Sequence, residues 1–252
     1  MKKIFVLILC LVALTSCSFS SENPTASTFE NPDDVLIMAT NAYFPPYEYY
    51  DGNKIVGIDV DIAEAIAKKL GQQLKVEDME FDSVITSVST GKADIGLAGI
   101  TVTDDRLQNI NFSDTYATAV QSVIVKSDSN IKKLEDLQKK MIGVQLNTTA
   151  DILAVKDYGK NYVNQYNNGN DAIIALTSGK IDAVIIDNEP AKNFVASNKN
   201  LKILDTNYAV EKYAICIAKE NTELLEKINN ALAELNADGT LKKIVDNYIL
   251  TD

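Results

Sequence analysis

Arg106 follows the run Leu97-Ala98-Gly99-Ile100 and the hydroxyls of Thr101 and Thr103, and Asp187 closes a second run, Ala183-Val184-Ile185-Ile186. A guanidinium fork grips a carboxylate through two parallel charge-assisted hydrogen bonds, a geometry lysine cannot copy. A carboxylate in the place of Asp187 receives an ammonium group, and a backbone oxygen such as that of Gly99 accepts its remaining protons. One group of each sign, set face to face, reads a small zwitterion of the kind a free α-amino acid is. The chain has no histidine, which removes the commonest general base and metal ligand. It also lacks a GxSxG turn, a phosphate loop and a metal-ligand cluster. The residues therefore point to recognition rather than catalysis, with no cofactor. Each has a plainer reading as well: Arg106 can pair with Asp104 or Asp105 on a surface helix, and Asp187 can cap a helix opening at Asn188-Glu189-Pro190.

The elements that must hold these residues alternate along the chain. From Val35, short apolar runs (VLIMAT, KIVGI, ADIGLAGI) take turns with segments of helical spacing, the pattern of an α/β protein with a mostly parallel sheet. In DVDIAEAIAKKLG, Ala63, Ile66, Ala67 and Leu70 share a helix face, Asp59 or Asp61 can cap its start, and Gly71 suits a left-handed stop. DSVITSVSTG predicts a second helix, opened by Asp82 and ended by Gly91. A weak repeat relates STGKADIGLAG (89–99) to TSGKIDAVIID (177–187): helix end, glycine stop, Lys-x-Asp, buried strand. Each copy marks the same place in one of two similar lobes. Ligands of open α/β sheets bind beyond the carboxyl ends of strands, which selects Gly99 to Arg106 in one lobe and Asp187 in the other. Two further strand ends join them. VLIMAT is followed by Asn41 and the aromatic turn AYFPPYEYY, with Phe44, and MIGVQLN by Thr148 and Thr149, which open a helix whose first N–H groups can face an anion.

The beginning of the chain gives an address. MKKIFVLILCLVALTSC carries two lysines and then an apolar run from Ile4 to Leu14, too short to span a bilayer and built like a signal-peptide core. Its end, Leu14-Thr15-Ser16-Cys17, has the form of a bacterial lipobox, so Cys17 is expected as a lipid-modified first mature residue. Cys10 then leaves with residues 1–16, and Cys216 has no partner for a disulfide. Loss of Lys2 and Lys3 leaves 22 basic side chains against 35 acidic ones, a net charge of −13, which opposes nucleic-acid binding. Residues 17–33 are rich in Ser, Thr, Asn, Glu and Pro without apolar period and are expected to act as a flexible tether. Roughly 220 residues remain, enough for two lobes of about 100 each.

With these residues in view, the chain resembles bacterial solute-binding protein family 3, the polar amino-acid-binding proteins of ABC importers. The most specific element is GIDVDIAEAIAKKL (57–70), accompanied by FPPYE, LAGITVTDDR, INFSDTY, GVQLNTTAD, DAVIIDNEPA and the late helix LNADGTLKKI. The resemblance implies a type II periplasmic-binding fold. Lobe 1 would comprise 34–120 and 212–252 and lobe 2 would comprise 121–211, joined by a two-strand hinge and with YAICIAKE as the returning strand. It implies closure about that hinge, delivery to permease subunits, a monomer, and a lipid anchor at the outer face of the membrane or in the periplasm. Residue by residue, it implies that Phe44 stacks on the ligand side chain and Phe81 closes the other side, although such aromatics are more often core than ligand platform. Gly99 and Thr101 would bind the ammonium and carboxylate, Arg106 would clamp the carboxylate with amides near Thr148 and Thr149, and Asp187 would receive the ammonium.

Two positions depart from the pattern. Asn147 stands where relatives carry glycine, and asparagine tolerates the left-handed backbone that such a turn needs. Asn41 stands where binders of basic amino acids place an aspartate, which favours an uncharged polar ligand such as glutamine. Arginine or lysine is the alternative, with Glu48 or Asp82 as the source of negative charge. The rival functions are a sensory or adhesive lipoprotein and a dehydratase on the same scaffold.

Overall fold

The computed structural model describes residues 34–249. The expected signal peptide, Cys17 and the expected tether lie outside the described residues. The strands are β1 (Val35–Thr40), β2 (Tyr43–Phe44), β3 (Glu48–Asp51), β4 (Lys54–Val56), β5 (Gln73–Asp78), β6 (Ile95–Gly96), β7 (Ile110–Lys126), β8 (Ile142–Gln145), β9 (Val163–Tyr166), β10 (Ala183–Asp187), β11 (Leu201–Ile203) and β12 (Ala209–Ala218). The helices are α1 (Ile58–Leu70), α2 (Phe81–Ser89), α3 (Asp104–Leu107), α4 (Thr149–Tyr158), α5 (Gly169–Thr177), α6 (Asn188–Ser197), α7 (Thr222–Ala237) and α8 (Thr240–Tyr248).

Nine of the strands form one curled path, β5-β1-β6-β12-β7-β10-β8-β9 with β11 beside β7, and β2-β3-β4 form a small separate sheet. Every pairing in the large path that does not involve β7 or β12 is parallel. β7 and β12 are the two strands that cross between lobes. The first part of β7 pairs antiparallel with β12, from Ala218↔Ile110 to Ala209↔Gln121, and its last part pairs with β10 and β11. The lobe divisions expected near 120 and 211 thus fall inside paired strands rather than in loops.

Alternation along the strands divides each lobe's core into two layers, because successive side chains point to opposite faces. Leu36 and Met38 of β1 pack with α1, α7 and α8, whereas Ala39 packs with Val84 and Val88 of α2. In the second lobe Ala183 and Ile185 of β10 face α4, and Val184 and Ile186 face α5 and α6. β10 is buried throughout, as a strand covered on both faces must be.

Several local expectations need correction. Asp59 and Asp61 do not cap α1; the cap position is Gly57, at φ 135, and both aspartates lie in the first turn. A Cβ on Gly57 would sit 2.2 Å from the Tyr47 carbonyl oxygen, so the tight backbone approach, not a side-chain cap, sets the start. Asp82 likewise lies within the first turn of α2, with Glu80 at the cap position. The segment LNADGTLKKI is not one helix: Gly239, at φ 79, separates α7 from α8. Gly71 does end α1 in the left-handed conformation, φ 73. Cys216 is fully buried and unpaired, its thiol pushed up to about 12 by burial.

The internal repeat has a physical content. Asp94 and Asp182, the aspartates of the two Lys-x-Asp copies, make equivalent reciprocal bonds across their lobes. The Asp94 carboxylate accepts from the Ile37 N–H at 2.7 Å and its N–H donates to the Ile37 carbonyl at 2.9 Å. Asp182 does the same with Met141, at 2.8 Å in both directions.

Candidate functional site

The carboxyl ends of β1, β6, β8 and β10 open into one crevice between the lobes. It is lined by all nine residues singled out in the sequence: Asn41, Phe44, Phe81, Gly99, Thr101, Arg106, Thr148, Thr149 and Asp187. The lobes are drawn together across it. Gln145 donates to the Asn41 side-chain oxygen at 2.9 Å, Arg106 Nη2 to the Asn147 carbonyl at 3.0 Å, and Asn193 to the Pro45 carbonyl at 3.3 Å.

Arg106 projects from the short helix α3, whose cap Thr103 accepts from the Arg106 N–H at 3.2 Å. Its Nη1 donates to the Thr101 carbonyl at 2.8 Å, and the guanidinium lies 5.6 Å from the Phe81 ring centroid. Among the described residues it forms no ion pair, so the expected alternative of pairing with Asp104 or Asp105 is not what it does. Burial lowers its pKa, partly countered by the charge of Glu211. A half-buried guanidinium without a carboxylate is an unsatisfied charge, and an anion entering the crevice satisfies it.

Asp187 is only 1% exposed. One oxygen accepts from the Glu189 N–H at 2.8 Å, capping α6, and the other from the Tyr213 hydroxyl at 3.1 Å. Capping and lining the crevice are thus both true of it. Burial raises its pKa to about 7 despite these two donors, which act the other way. A cation beside it would restore the charged form.

Thr148 caps α4, accepting from the Asp151 N–H at 3.2 Å, and donates to the Gln145 carbonyl at 2.7 Å. That leaves the first turn of α4, with buried Thr149, at the crevice wall. Asn147 holds φ 62, the left-handed backbone expected of it. Gly99, at φ 55, donates its N–H to Asp59 at 3.0 Å, and a Cβ there would come 2.9 Å from the Phe44 ring. Glycine lets the aromatic floor approach the strand end. Phe44 stacks on Tyr47, 5.6 Å between centroids, and packs at the margin of both lobes' cores. The Thr101 hydroxyl donates to Glu211 at 2.8 Å.

The sequence did not single out Gln121, Gln145 and Tyr213, which also line the crevice. Gln145 is the last residue of β8, and the strand-end rule that selected Thr148 would have found it. Gln121 and Tyr213 lie on the crossing strands, where apolar spacing carries no sign of which residues face a cleft. Of the two acids considered for the ligand side chain, Glu48 lines the crevice and is 1% exposed. Asp82 is exposed and borders surface hollows instead, because its helix turns it outward, so it is withdrawn as a source of charge.

Known proteins share this architecture. The arginine-binding extracellular protein ArtP of Bacillus subtilis is 35% identical over 241 residues, 92% of this chain and 91% of its own length. The structure of an ancestral arginine-binding protein bound to glutamine superimposes with a TM-score of 0.82 at 41% identity, covering 86% of this chain and 98% of that one. ArtJ, the arginine-, lysine-, histidine-binding protein of Geobacillus stearothermophilus, gives 0.82 at 35% identity, covering 86% and 96%. Residues 36–251 match the family described as bacterial extracellular solute-binding proteins, family 3. The fold is that of periplasmic-binding proteins, the family's members are binders rather than enzymes, and they act outside the cytoplasm with amino-acid ABC transporters. The chain, with its two-lobed α/β frame and a crevice carrying charge of each sign, belongs to the bacterial extracellular solute-binding proteins, family 3.

Proposed function

We propose that the chain captures a free L-amino acid with a basic side chain, arginine foremost, and presents it to an importer by closing its two lobes. The carrying observation is Arg106, half-buried and without a carboxylate partner among the described residues, on the wall of the crevice that Asp187 also lines. In this reading the ligand's carboxylate lies on the Arg106 fork and the N–H groups at the start of α4, its ammonium lies at Asp187 and the Gly99 carbonyl, and Phe44 and Phe81 flank its side chain. Only the closed form gains contacts from both lobes, so ligand stabilises closure.

Asn41 favours glutamine less than the sequence suggests. Its amide donates to the Met79 carbonyl at 2.8 Å and accepts from Gln145, so it is already engaged within the protein. Glu48 supplies the negative group that a guanidinium seeks, and several relatives are named for arginine. Glutamine stays as a second reading, supported by the ancestral relative that holds it. Lipidation at Cys17 and monomeric action complete the proposal.

A thermal-shift series with the twenty amino acids tests it, since a ligand at 100 times its Kd adds about 2.7 kcal/mol to stability. Arginine is expected to give the largest upward shift. The reading fails if none of the twenty shifts the transition. Uptake of labelled arginine by cells lacking the gene separates import from sensing: it should fall, and unchanged uptake would favour a sensory role.

A further inference from the structure

Two carboxyl groups from different elements meet at one wall of the crevice. Glu48 opens β3 and Asp59 lies in the first turn of α1, and they are 1% and 0% exposed. The backbone brings them together: the Ile58 N–H donates to the Pro46 carbonyl at 3.0 Å and the Asp59 N–H to the Tyr47 carbonyl at 2.9 Å. Asp59 Oδ2 is well supplied, accepting from the Gly99 N–H at 3.0 Å and the Tyr116 hydroxyl at 2.8 Å. Its Oδ1 and the Oε2 of Glu48 have no donor among the described residues. Each carboxyl group feels the other at close range, and two carboxylates, both acceptors, can bond to one another only through a hydrogen. One proton held between the two acids would supply both orphaned oxygens.

The donors decide which group holds it. The two fixed donors on Asp59 favour its charged form. Of the pair only Glu48 lines the crevice. The other charges facing Glu48 are Asp187 and Asp78, and those around Asp59 are Glu48 and the Tyr116 hydroxyl; neither acid has an ion-pair partner among the described residues. Burial first, and then Asp59, hold the Glu48 carboxyl well above the usual range, while Asp59 is raised to about 6 by burial against its donors.

We propose that Glu48 is a carboxylic acid in the ligand-free protein and releases its proton when a cationic side chain enters, so that the charge of the site follows the charge of the ligand. This rests on the arginine reading above. The Glu48 O–H bond breaks, the proton passes to the buffer, and guanidinium N–H groups take its place between the oxygens. A neutral side chain leaves the proton where it was. The same crevice then carries the same total charge in the glutamine and the arginine complexes.

Calorimetric titrations near pH 7, in buffers of different ionisation enthalpy, count the protons released by L-arginine and by its neutral isostere L-citrulline. Any proton that Asp187 loses to the ligand's ammonium is common to both. Arginine should release about one proton more than citrulline, and the excess should vanish in Glu48→Gln. Infrared difference spectra provide a second readout: a protonated-carboxyl stretch should be lost on adding arginine but kept with citrulline, and this arginine-specific loss should be missing from Glu48→Gln. Asp59 is a positioning residue. Asp59→Asn should move the pH profile of arginine affinity to lower pH, whereas a merely structural role would lower affinity equally at all pH. Equal proton counts for the two ligands, or no acid band in the ligand-free protein, would overturn the proposal. Failure of arginine to bind at all would instead overturn the arginine reading, and the difference between the ligand-free acid bands of the parent protein and Glu48→Gln would still decide whether the proton is there.

Discussion

Replacing Arg106 with lysine keeps one positive charge and removes the fork. In the structure Nη1 reaches the Thr101 carbonyl at 2.8 Å and Nη2 the Asn147 carbonyl at 3.0 Å. These two bonds fix the guanidinium plane, and hydrogen bonds from a charged donor are worth about 1.5–3 kcal/mol each. A lysine ammonium is a point charge that can satisfy one of these acceptors or the ligand, but cannot offer two parallel N–H groups to a carboxylate. Leaving the partner of a desolvated charge pair poorly matched costs roughly 2–5 kcal/mol, or about 30- to 3,000-fold in Kd. Isothermal calorimetry of L-arginine on Arg106→Lys should show that loss. Urea unfolding of the ligand-free variant should show a smaller one, about 1–2 kcal/mol, because only the internal bonds are touched. Affinity close to that of the parent protein would mean that the ligand's carboxylate lies elsewhere.

Other expectations follow from single contacts. Asp187→Asn keeps an oxygen for the Glu189 N–H and a partner for Tyr213, so ligand-free stability should change little while affinity by calorimetry drops at least about 30-fold. Gly57→Ala would place a Cβ 2.2 Å from the Tyr47 carbonyl at φ 135, and thermal melts should reveal a loss of about 2–3 kcal/mol or more. Asp187 and Asp59 are raised to about 7 and about 6, from ordinary values near 4. Between those limits the folded chain binds more protons than the unfolded one, so ligand-free stability should fall as pH rises through 4 to 7, by up to about 1.4 kcal/mol per unit for each group. Urea midpoints across that range, if flat or rising, would contradict the burial of uncompensated acids. Arginine affinity should be indifferent to EDTA, and a loss restored by metal would show a ligand set that the crevice does not contain.

What could be seen in the sequence, and what could not, divides along physical lines. The position of the site was legible because strand ends are marked by changes of residue type. The repeated Lys-x-Asp preceded two buried strands, and Asp94 and Asp182 prove to make the same reciprocal bonds. Asn147 was readable because few residues accept φ 62. Asp59 was misread as a helix cap because an acid in a first turn has that meaning in isolation; only the approach of Gly99 and Tyr116 from elsewhere in the chain buries it. Gln121 and Tyr213 were invisible for a related reason. Where β7 and β12 cross between lobes, Thr118, Val210 and Lys212 are exposed while Ala119, Gln121, Glu211 and Tyr213 are buried, and nothing local tells which of the buried residues look into the crevice. Side-chain charge was the hardest to read, since Glu48 and Asp82 differ in sequence by nothing that forecasts one inward and one outward.

The proposed function turns on a zwitterion held between the two lobes. A crystal structure of the protein with L-arginine measures this directly. The α-carboxylate should lie about 3 Å from the Arg106 Nη atoms, with the α-ammonium at a similar distance from an Asp187 oxygen. An amino acid bound with those ends reversed, or bound with Arg106 still lacking an anion, would contradict it.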